Sequence, residues 1–218
     1  MKHMNDPSVD YRLLVMKGYD QCAGIYGSIR NNEIEPDLAL LIDLLEKGAK
    51  VLDIGCGSGI PIARTLAKHF KVTGVDLSNE MVQFSIKNVP NGTFIQADII
   101  DVDLPSSEFD AIVSFYTIFH IPKERHKILF QKINSWLKDG GHILMTVSNE
   151  NIEPYIEEFH GVTMYWSNHG LKEYKDILTK VGFDIIQITS VGNGYNPSKE
   201  IPEEYHPLIF AKKTSNPC

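Results

Sequence analysis

Basic charge, long apolar runs and cysteine are what this chain has least of. Lys and Arg total 21 against 28 Asp and Glu, a formal charge of -7, and no basic cluster interrupts that balance. A polyanionic partner such as nucleic acid is therefore not expected. Apolar stretches reach only strand length before an Asp or Gly breaks them, and the N-terminus lacks the apolar core of a signal peptide. That reads as a cytoplasmic chain with no membrane partner. The three cysteines, Cys22, Cys56 and Cys218, have no paired spacing, which suggests neither a disulfide framework nor a zinc site. The 218 residues, 43% hydrophobic and 22% charged, suit a single globular domain with a sizeable core.

One further absence bears on the ligand. Lys50-Val51-Leu52-Asp53-Ile54 is a short apolar run of strand type, followed by Gly55-Cys56-Gly57-Ser58-Gly59 and then Ile60-Pro61-Ile62-Ala63, which opens a helix. The dinucleotide fingerprint would need a third glycine at position 60, where Ile60 stands. An acidic residue, Asp53, closes the strand instead, which suits a ligand with a cationic head and repels a pyrophosphate.

Strand-like segments recur with a carboxylate at their ends. Lys71–Asp76 places Asp76 about twenty residues beyond Gly55, the offset at which an acid reaches two ribose hydroxyls. Thr93–Gln96 is followed by Ala97-Asp98-Ile99, and Phe109–Phe115 makes a fourth strand that ends at Ser114-Phe115. A helix over Lys123–Lys138, stopped by Asp139-Gly140-Gly141, leads to a fifth strand at His142–Val147. Leu171–Val181 is a last helix, Asp184–Val191 a sixth strand, and 193–198 a turn-rich link to a final strand starting at His206-Pro207. Strands alternating with helices, then two strands joined without one, give a mostly parallel sheet with an antiparallel last strand.

The Asp53-x-Gly55-x-Gly57-x-Gly59 loop resembles motif I of the class I S-adenosylmethionine-dependent methyltransferases, and Leu137-Lys138-Asp139-Gly140-Gly141-His142-Ile143 resembles the same family further on. The resemblance implies a Rossmann-like α/β fold with seven strands in the order 3-2-1-4-5-7-6 and helices on both faces. It implies S-adenosyl-L-methionine as cofactor, held by Asp53, Gly55, Cys56, Gly57 and Gly59 at the loop. Asp76 would take the ribose and Asp98 and Ile99 the adenine, with Leu77, Met81, Ala97, Ser114 and Phe115 as further cofactor contacts. Tyr11 and Tyr19, from an N-terminal helical cap over residues 1–47, would close over the methionine part. The cofactor-binding core would span 48–147, a C-terminal helix and hairpin 171–213.

Residues 148–170 read as an irregular, lid-like insertion rich in aromatics. Its Tyr165 and Trp166, with Phe119, are candidates for the acceptor pocket. His120, just past the fourth strand, and His169, beside Trp166, are candidate bases, since a near-neutral pKa suits proton transfer. The hard-cation ligand of metal-dependent catechol-type enzymes is missing, because Ser114 stands at that place. The expected activity is metal-independent methyl transfer to a small-molecule acceptor, by a monomer or homodimer. A non-catalytic cofactor-binding or partner-regulating protein, and a nicotinamide-dependent oxidoreductase, remain the alternatives.

Overall fold

A computed structural model describes residues 2–3, 10–29, 35–191 and 206–214. The turn-rich link at 193–198 and Cys218 lie outside the described residues. The main sheet has seven strands, β2 (Lys50–Ile54), β3 (Lys71–Asp76), β4 (Thr93–Gln96), β5 (Phe109–Ser114), β6 (Leu137–Thr146), β9 (Phe183–Val191) and β10 (His206–Lys213), in the spatial order β4-β3-β2-β5-β6-β10-β9. The first five in that order are parallel, and β10 runs antiparallel to both β6 and β9. Renumbered within this sheet, the order is 3-2-1-4-5-7-6. That is the Rossmann-like methyltransferase fold.

Alternation along the central strands fills two apolar layers. Leu52, Ile54 and Ile112 point to one layer, closed by Leu129, Phe130, Ile133 and Trp136 of α5 (His126–Trp136) and by Tyr174 and Leu178 of α6 (Leu171–Val181). Val51, Ala111 and Val113 point to the other, closed by Leu38 and Leu41 of α2 (Glu35–Leu44) and Ile62, Ala63 and Leu66 of α3 (Ile62–Leu66). Because β2 is buried on both faces, its carboxyl end and the loop after it are fixed from both sides. No helix among the described residues is long and apolar enough to cross a membrane.

Several local expectations are corrected. The helix expected over 123–138 covers only His126–Trp136, and β6 starts at Leu137 and runs through Gly140-Gly141. The pair of glycines does not stop a helix there; it sits at a register shift against β5, where Phe109 faces Leu137 and Ala111 faces His142. The crossover at 97–108 carries no helix and is anchored by buried Ile99 and Ile100. Within the helical cap expected over 1–47, the described residues form one long helix, α1 (Tyr11–Ile29), and the shorter α2, which ends at Leu44.

The largest correction concerns 148–170. The segment expected to be irregular is a β-hairpin, β7 (Ile152–Phe159) and β8 (Val162–Asn168), to which β1 (Lys2–His3) adds a third strand. Its two-residue turn, His160-Gly161, has φ of +52° and +80°, the primed geometry that matches strand twist. The hairpin packs on α1, with Tyr165 against Tyr11 (ring centroids 5.6 Å) and Phe159 against Tyr19 (6.5 Å). α1 is thus held between the hairpin and the strand ends, over the carboxyl edge of the sheet.

Candidate active site

A solvent-open cavity lies beyond the carboxyl ends of β2, β3, β4 and β5, roofed by α1. This is where parallel α/β sheets bind ligands. The loop after β2 forms its floor. Gly55, Gly57 and Gly59 have φ of +68°, +54° and +77°, and the N–H groups of Gly55 and Cys56 both donate to Val75 O, at 2.7 and 3.2 Å. α4 (Asn79–Asn88) braces the loop from behind: Ser85 Oγ donates to Gly57 O (2.7 Å) and Asn88 Nδ2 to Ser58 O (2.9 Å).

Two glycines here are required for different reasons. A Cβ on Gly55 would stand 2.0 Å from Thr117 Oγ1 and 2.6 Å from Thr117 Cβ, whereas one on Gly57 would meet nothing within 4 Å. Thr117 sits directly over the loop, its hydroxyl 3.1 Å from Ile54 O. Gly55→Ala is therefore expected to destabilise the fold by about 2–5 kcal/mol, overpacking adding to left-handed strain. Gly57→Ala should cost only about 1–2 kcal/mol but place a methyl group in the cavity and weaken cofactor binding. Urea midpoints and cofactor titrations on both variants check the contrast.

Asp76 ends β3 with its carboxylate accepting from Gly57 N–H (2.8 Å) and Ser78 N–H (2.9 Å). Burial nevertheless pushes its pKa up to about 6, against those N–H donors and with help from the nearby charge of Asp20. Asp20 reaches over from α1 and accepts from Ser78 Oγ at 2.5 Å. Asp98, after β4, accepts from Ile100 N–H (2.8 Å) and is ion-paired with Arg12 Nε of α1 at 2.6 Å. Arg12 also reaches Asp101 (2.6 Å). The helix α1 is thus pinned to the two strand-end loops that carry these carboxylates. Arg12, Asp20, Thr117, Ser85 and Asn88 had no sequence signal of their own, since each acts through contacts between distant segments.

His120 is 6% exposed, in the turn at Ile118–His120. Its Nδ1 lies 2.9 Å from Tyr165 O and its Nε2 2.8 Å from Tyr19 Oη. A carbonyl can only accept, so Nδ1 carries the proton and Nε2 accepts from the tyrosine. Trp166 packs on the other side of the imidazole, with ring centroids 4.4 Å apart. Burial pushes the His120 pKa down to about 4, so the ring is neutral at physiological pH.

The cavity brings together many of the expected site residues. Asp53, Gly55, Cys56, Gly57, Asp76, Leu77, Met81, Ala97, Asp98, Ile99, Phe115, Tyr11, Tyr19 and His120 all line it. Others are not on its wall. Gly59 faces Ser85 and Val89, Ser114 is fully buried in β5, and Phe119 stacks on His206 (5.0 Å). Tyr165 and Trp166 stand behind Tyr11 and His120. His169 is removed from the site altogether: its Nε2 bonds Lys123 O (2.9 Å), its Nδ1 lies 3.2 Å from Glu173, and its ring packs edge-on to Tyr174 and His126. It braces the start of α6 and is no candidate base. The burial of Cys56 and the charges of Asp76 and Asp53 push its thiol well up, so it is not a nucleophile.

A second buried imidazole, His126, holds the turn that carries His120. Its Nε2 donates to Ile121 O (2.8 Å), and its Nδ1, at 3.1 Å, accepts from the Tyr174 hydroxyl. Burial pushes its pKa down to about 4 as well. For a histidine whose folded pKa lies below its unfolded value, stability is complete above about pH 6.5 and is lost as pH falls toward 4, at about 1.4 kcal/mol per unit. His120 and His126 act in that direction, while Asp76, raised from 3.8 to about 6, opposes them by about as much as one histidine. The net expectation is a loss of about 1.4 kcal/mol per pH unit between pH 6 and 4, nearly abolished in His126→Phe, where His120 and Asp76 offset each other. Urea unfolding at the two pH values measures it.

Fold and cavity define a protein that holds a nucleoside-bearing ligand across parallel strand ends. Comparison with known proteins agrees. Residues 51–141 match the family described as "Methyltransferase domain". The chain is 29% identical over 186 residues to phosphoethanolamine N-methyltransferase of Plasmodium falciparum, covering 81% of this chain and 70% of that protein. It is 30% identical over 187 residues to the Triticum aestivum enzyme of that name, of whose length it spans 36%. Among solved structures, Burkholderia thailandensis 1,6-didemethyltoxoflavin-N1-methyltransferase, with its acceptor and S-adenosylhomocysteine bound, shares the fold at TM-score 0.73 and 18% identity, covering 98% of this chain and 94% of that one. Residues 51–141 are thus a methyltransferase domain on the fold of the S-adenosylmethionine-dependent enzymes, and S-adenosylmethionine is the cofactor.

The residues present fit that cofactor. The open space beside Gly57 leaves room for a ligand against backbone, Asp53 supplies negative charge at the loop, and the Asp76 carboxylate stands at the end of β3 where a vicinal diol can donate to both oxygens.

Proposed function

We propose that this protein methylates a small-molecule acceptor without a metal ion, with His120 as general base and Tyr19 as the group that links it to the acceptor. When bound, S-adenosylmethionine supplies an electrophilic methyl carbon on a sulfonium, which departs with the electron pair of the broken carbon–sulfur bond. Asp53 and the glycine loop would hold its amino-acid end, Asp76 its ribose, and Asp98 with Ile99 its adenine.

The observation that carries the reading is the fixed tautomer of His120. With Nδ1–H committed to Tyr165 O, the basic Nε2 faces the cavity through Tyr19 Oη, 2.8 Å away. As the acceptor atom gains the methyl group its proton becomes acidic, and Tyr19 can take that proton while passing its own to Nε2. The low pKa of about 4 keeps the base unprotonated and ready. A metal-held acceptor is disfavoured by the donor set: β5 ends at Ser114 and is followed by Phe115, Tyr116 and Thr117, none of which is a carboxylate. α1, clamped over the cavity by Arg12 and Asp20, with the aromatic hairpin behind it, would cover the reacting atoms on that side.

The named proteins act on phosphoethanolamine in one case and 1,6-didemethyltoxoflavin in another, so a small acceptor is the common denominator. The test is transfer of isotope-labelled methyl from S-adenosylmethionine into a small-molecule extract, with the protein and with His120→Asn. Label appearing in a low-molecular-weight product only with the unaltered protein supports the proposal. Label found only in protein or nucleic acid contradicts it.

A further inference from the structure

We propose that Tyr174 and His126 are positioning residues for the proton transfer: a buried chain of hydrogen bonds fixes the turn that carries His120 and so sets its imidazole against Tyr19. This deepens the reading of His120 as the base and rests on it.

The directions within the chain follow from what each group can give. Ile121 O can only accept, so His126 Nε2, 2.8 Å away, carries the ring proton and Nδ1 is left bare. Tyr174 Oη lies 3.1 Å from that bare nitrogen and donates to it. The same oxygen accepts from the His169 N–H at 3.3 Å. One chain therefore runs from the residue before the N-cap of α6, through Tyr174 and His126, into the carbonyl of Ile121.

That carbonyl lies one residue past His120. Ile121 N–H donates to Ile118 O (3.0 Å) and His120 N–H to Thr117 O (3.1 Å), so a hold on Ile121 is a hold on the whole turn. The next residues are tied to the same supports. Lys123 N–H donates to Ser167 Oγ (3.0 Å), and Lys123 O accepts from His169 Nε2 (2.9 Å). Ser167 stands two residues along β8 from Tyr165, whose carbonyl takes the His120 Nδ1–H. Backbone and ring of His120 are thus referred to one frame, β8 and the start of α6.

The surroundings of the pair carry a second argument. His126 and Tyr174 are fully buried, stacked on each other (5.7 Å, 16°) and flanked by Phe130, in the apolar layer of Leu129, Ile133 and Leu178. Their polar atoms had to be dehydrated, and an apolar pair of the same shape would pack there as well. What the polar pair adds is direction, since it admits one place for Ile121 O and disfavours a shifted turn. Misplacing a reacting group by about 1 Å can cost about 10²-fold in rate.

The experiment follows single-turnover transfer of labelled methyl from S-adenosylmethionine into the small-molecule extract, using the full chain. His120→Asn, Tyr174→Phe and the double variant are compared, with S-adenosylhomocysteine affinity and Tm measured alongside. Tyr174→Phe keeps the ring and removes one oxygen. It should slow transfer about five- to fiftyfold, leave S-adenosylhomocysteine affinity within about twofold, and cost almost nothing further once His120 is already Asn. His126→Gln, whose amide can donate to Ile121 O and accept from Tyr174, should stay within about threefold of the unaltered protein. His126→Leu should lose at least as much as Tyr174→Phe. Undiminished transfer in His120→Asn overturns the general-base reading and the inference with it. Where His120→Asn is slow, a full rate in Tyr174→Phe, or the same fold-loss from it in both backgrounds, overturns the inference alone. If Tyr174→Phe does not fold, the His126 pair decides, and equal rates in the Gln and Leu variants overturn it.

Discussion

Replacing His120 with asparagine is expected to cut kcat by about 10²–10⁴-fold, the range over which a positioned general base contributes, while leaving S-adenosylhomocysteine affinity within about threefold. Asparagine is chosen because its Nδ2–H can still donate to Tyr165 O as His120 Nδ1–H does, at 2.9 Å, while the basic ring nitrogen is lost. The backbone at Ile118–His120 should keep its place, so a fall in rate reports proton transfer rather than unfolding. Tyr19→Phe should share most of the loss and combine with the His120 change less than multiplicatively, since the two act as one unit through a single 2.8 Å hydrogen bond. Single-turnover assays with the acceptor found by label transfer measure both. Undiminished turnover in His120→Asn would leave methyl transfer to proximity and orientation alone.

Asp76→Ala is expected to weaken S-adenosylhomocysteine by about ten- to a hundredfold, the equivalent of one charge-assisted hydrogen-bond pair at roughly 1.5–3 kcal/mol. A loss below about threefold would show that the ribose is held elsewhere. The carboxylate also predicts a pH dependence of definite sign. A vicinal diol donates to the anion, so the ligand binds the deprotonated form, and protonation competes with it. With a pKa near 6 in the free protein, affinity should be full at pH 7.5 and about tenfold weaker at pH 5. Asp76→Asn should bind weakly at both pH values and show no such slope. His120 does not confound the comparison, because its pKa of about 4 leaves it neutral throughout that range.

What the amino-acid sequence disclosed follows from where the physics is local. Val51 to Ile62 specify strand, tight loop and helix start within twelve residues, and Asp76 and Asp98 follow strands of plain β-type composition, so the glycine-loop half of the cavity was legible by spacing. The acceptor half was not. Whether a histidine is a base or a brace depends on what surrounds it in space: His120 follows Phe119 and His169 lies three residues after Trp166, yet one meets Tyr19 in the cavity and the other meets Glu173 on α6. The hairpin at 152–168 was hidden because its strands mix charged and aromatic residues, with one face turned to α1 instead of a continuous core. Arg12 is invisible as a motif, being a single cation on a helix whose partner lies 86 residues away in Asp98. Tyr116 could be read as one more aromatic after a strand, since only the backbone reveals its φ of +59°.

The pinning of α1 also links the two halves. Arg12 draws the helix onto the loop of Asp98, and Asp20 onto the loop of Asp76, while Tyr19 from the same helix meets His120. A ligand bound at the two carboxylate loops would thereby act on the helix that carries Tyr19.

The most direct single measurement is a crystal structure with S-adenosylhomocysteine. The ligand should lie with its amino-acid end against Asp53 and Gly55, its ribose hydroxyls on the two oxygens of Asp76, its adenine beside Asp98 and Ile99, and its sulfur facing Tyr19 and His120. Density for the ligand outside this cavity, or with its ribose turned away from Asp76, would contradict the assignment of the site.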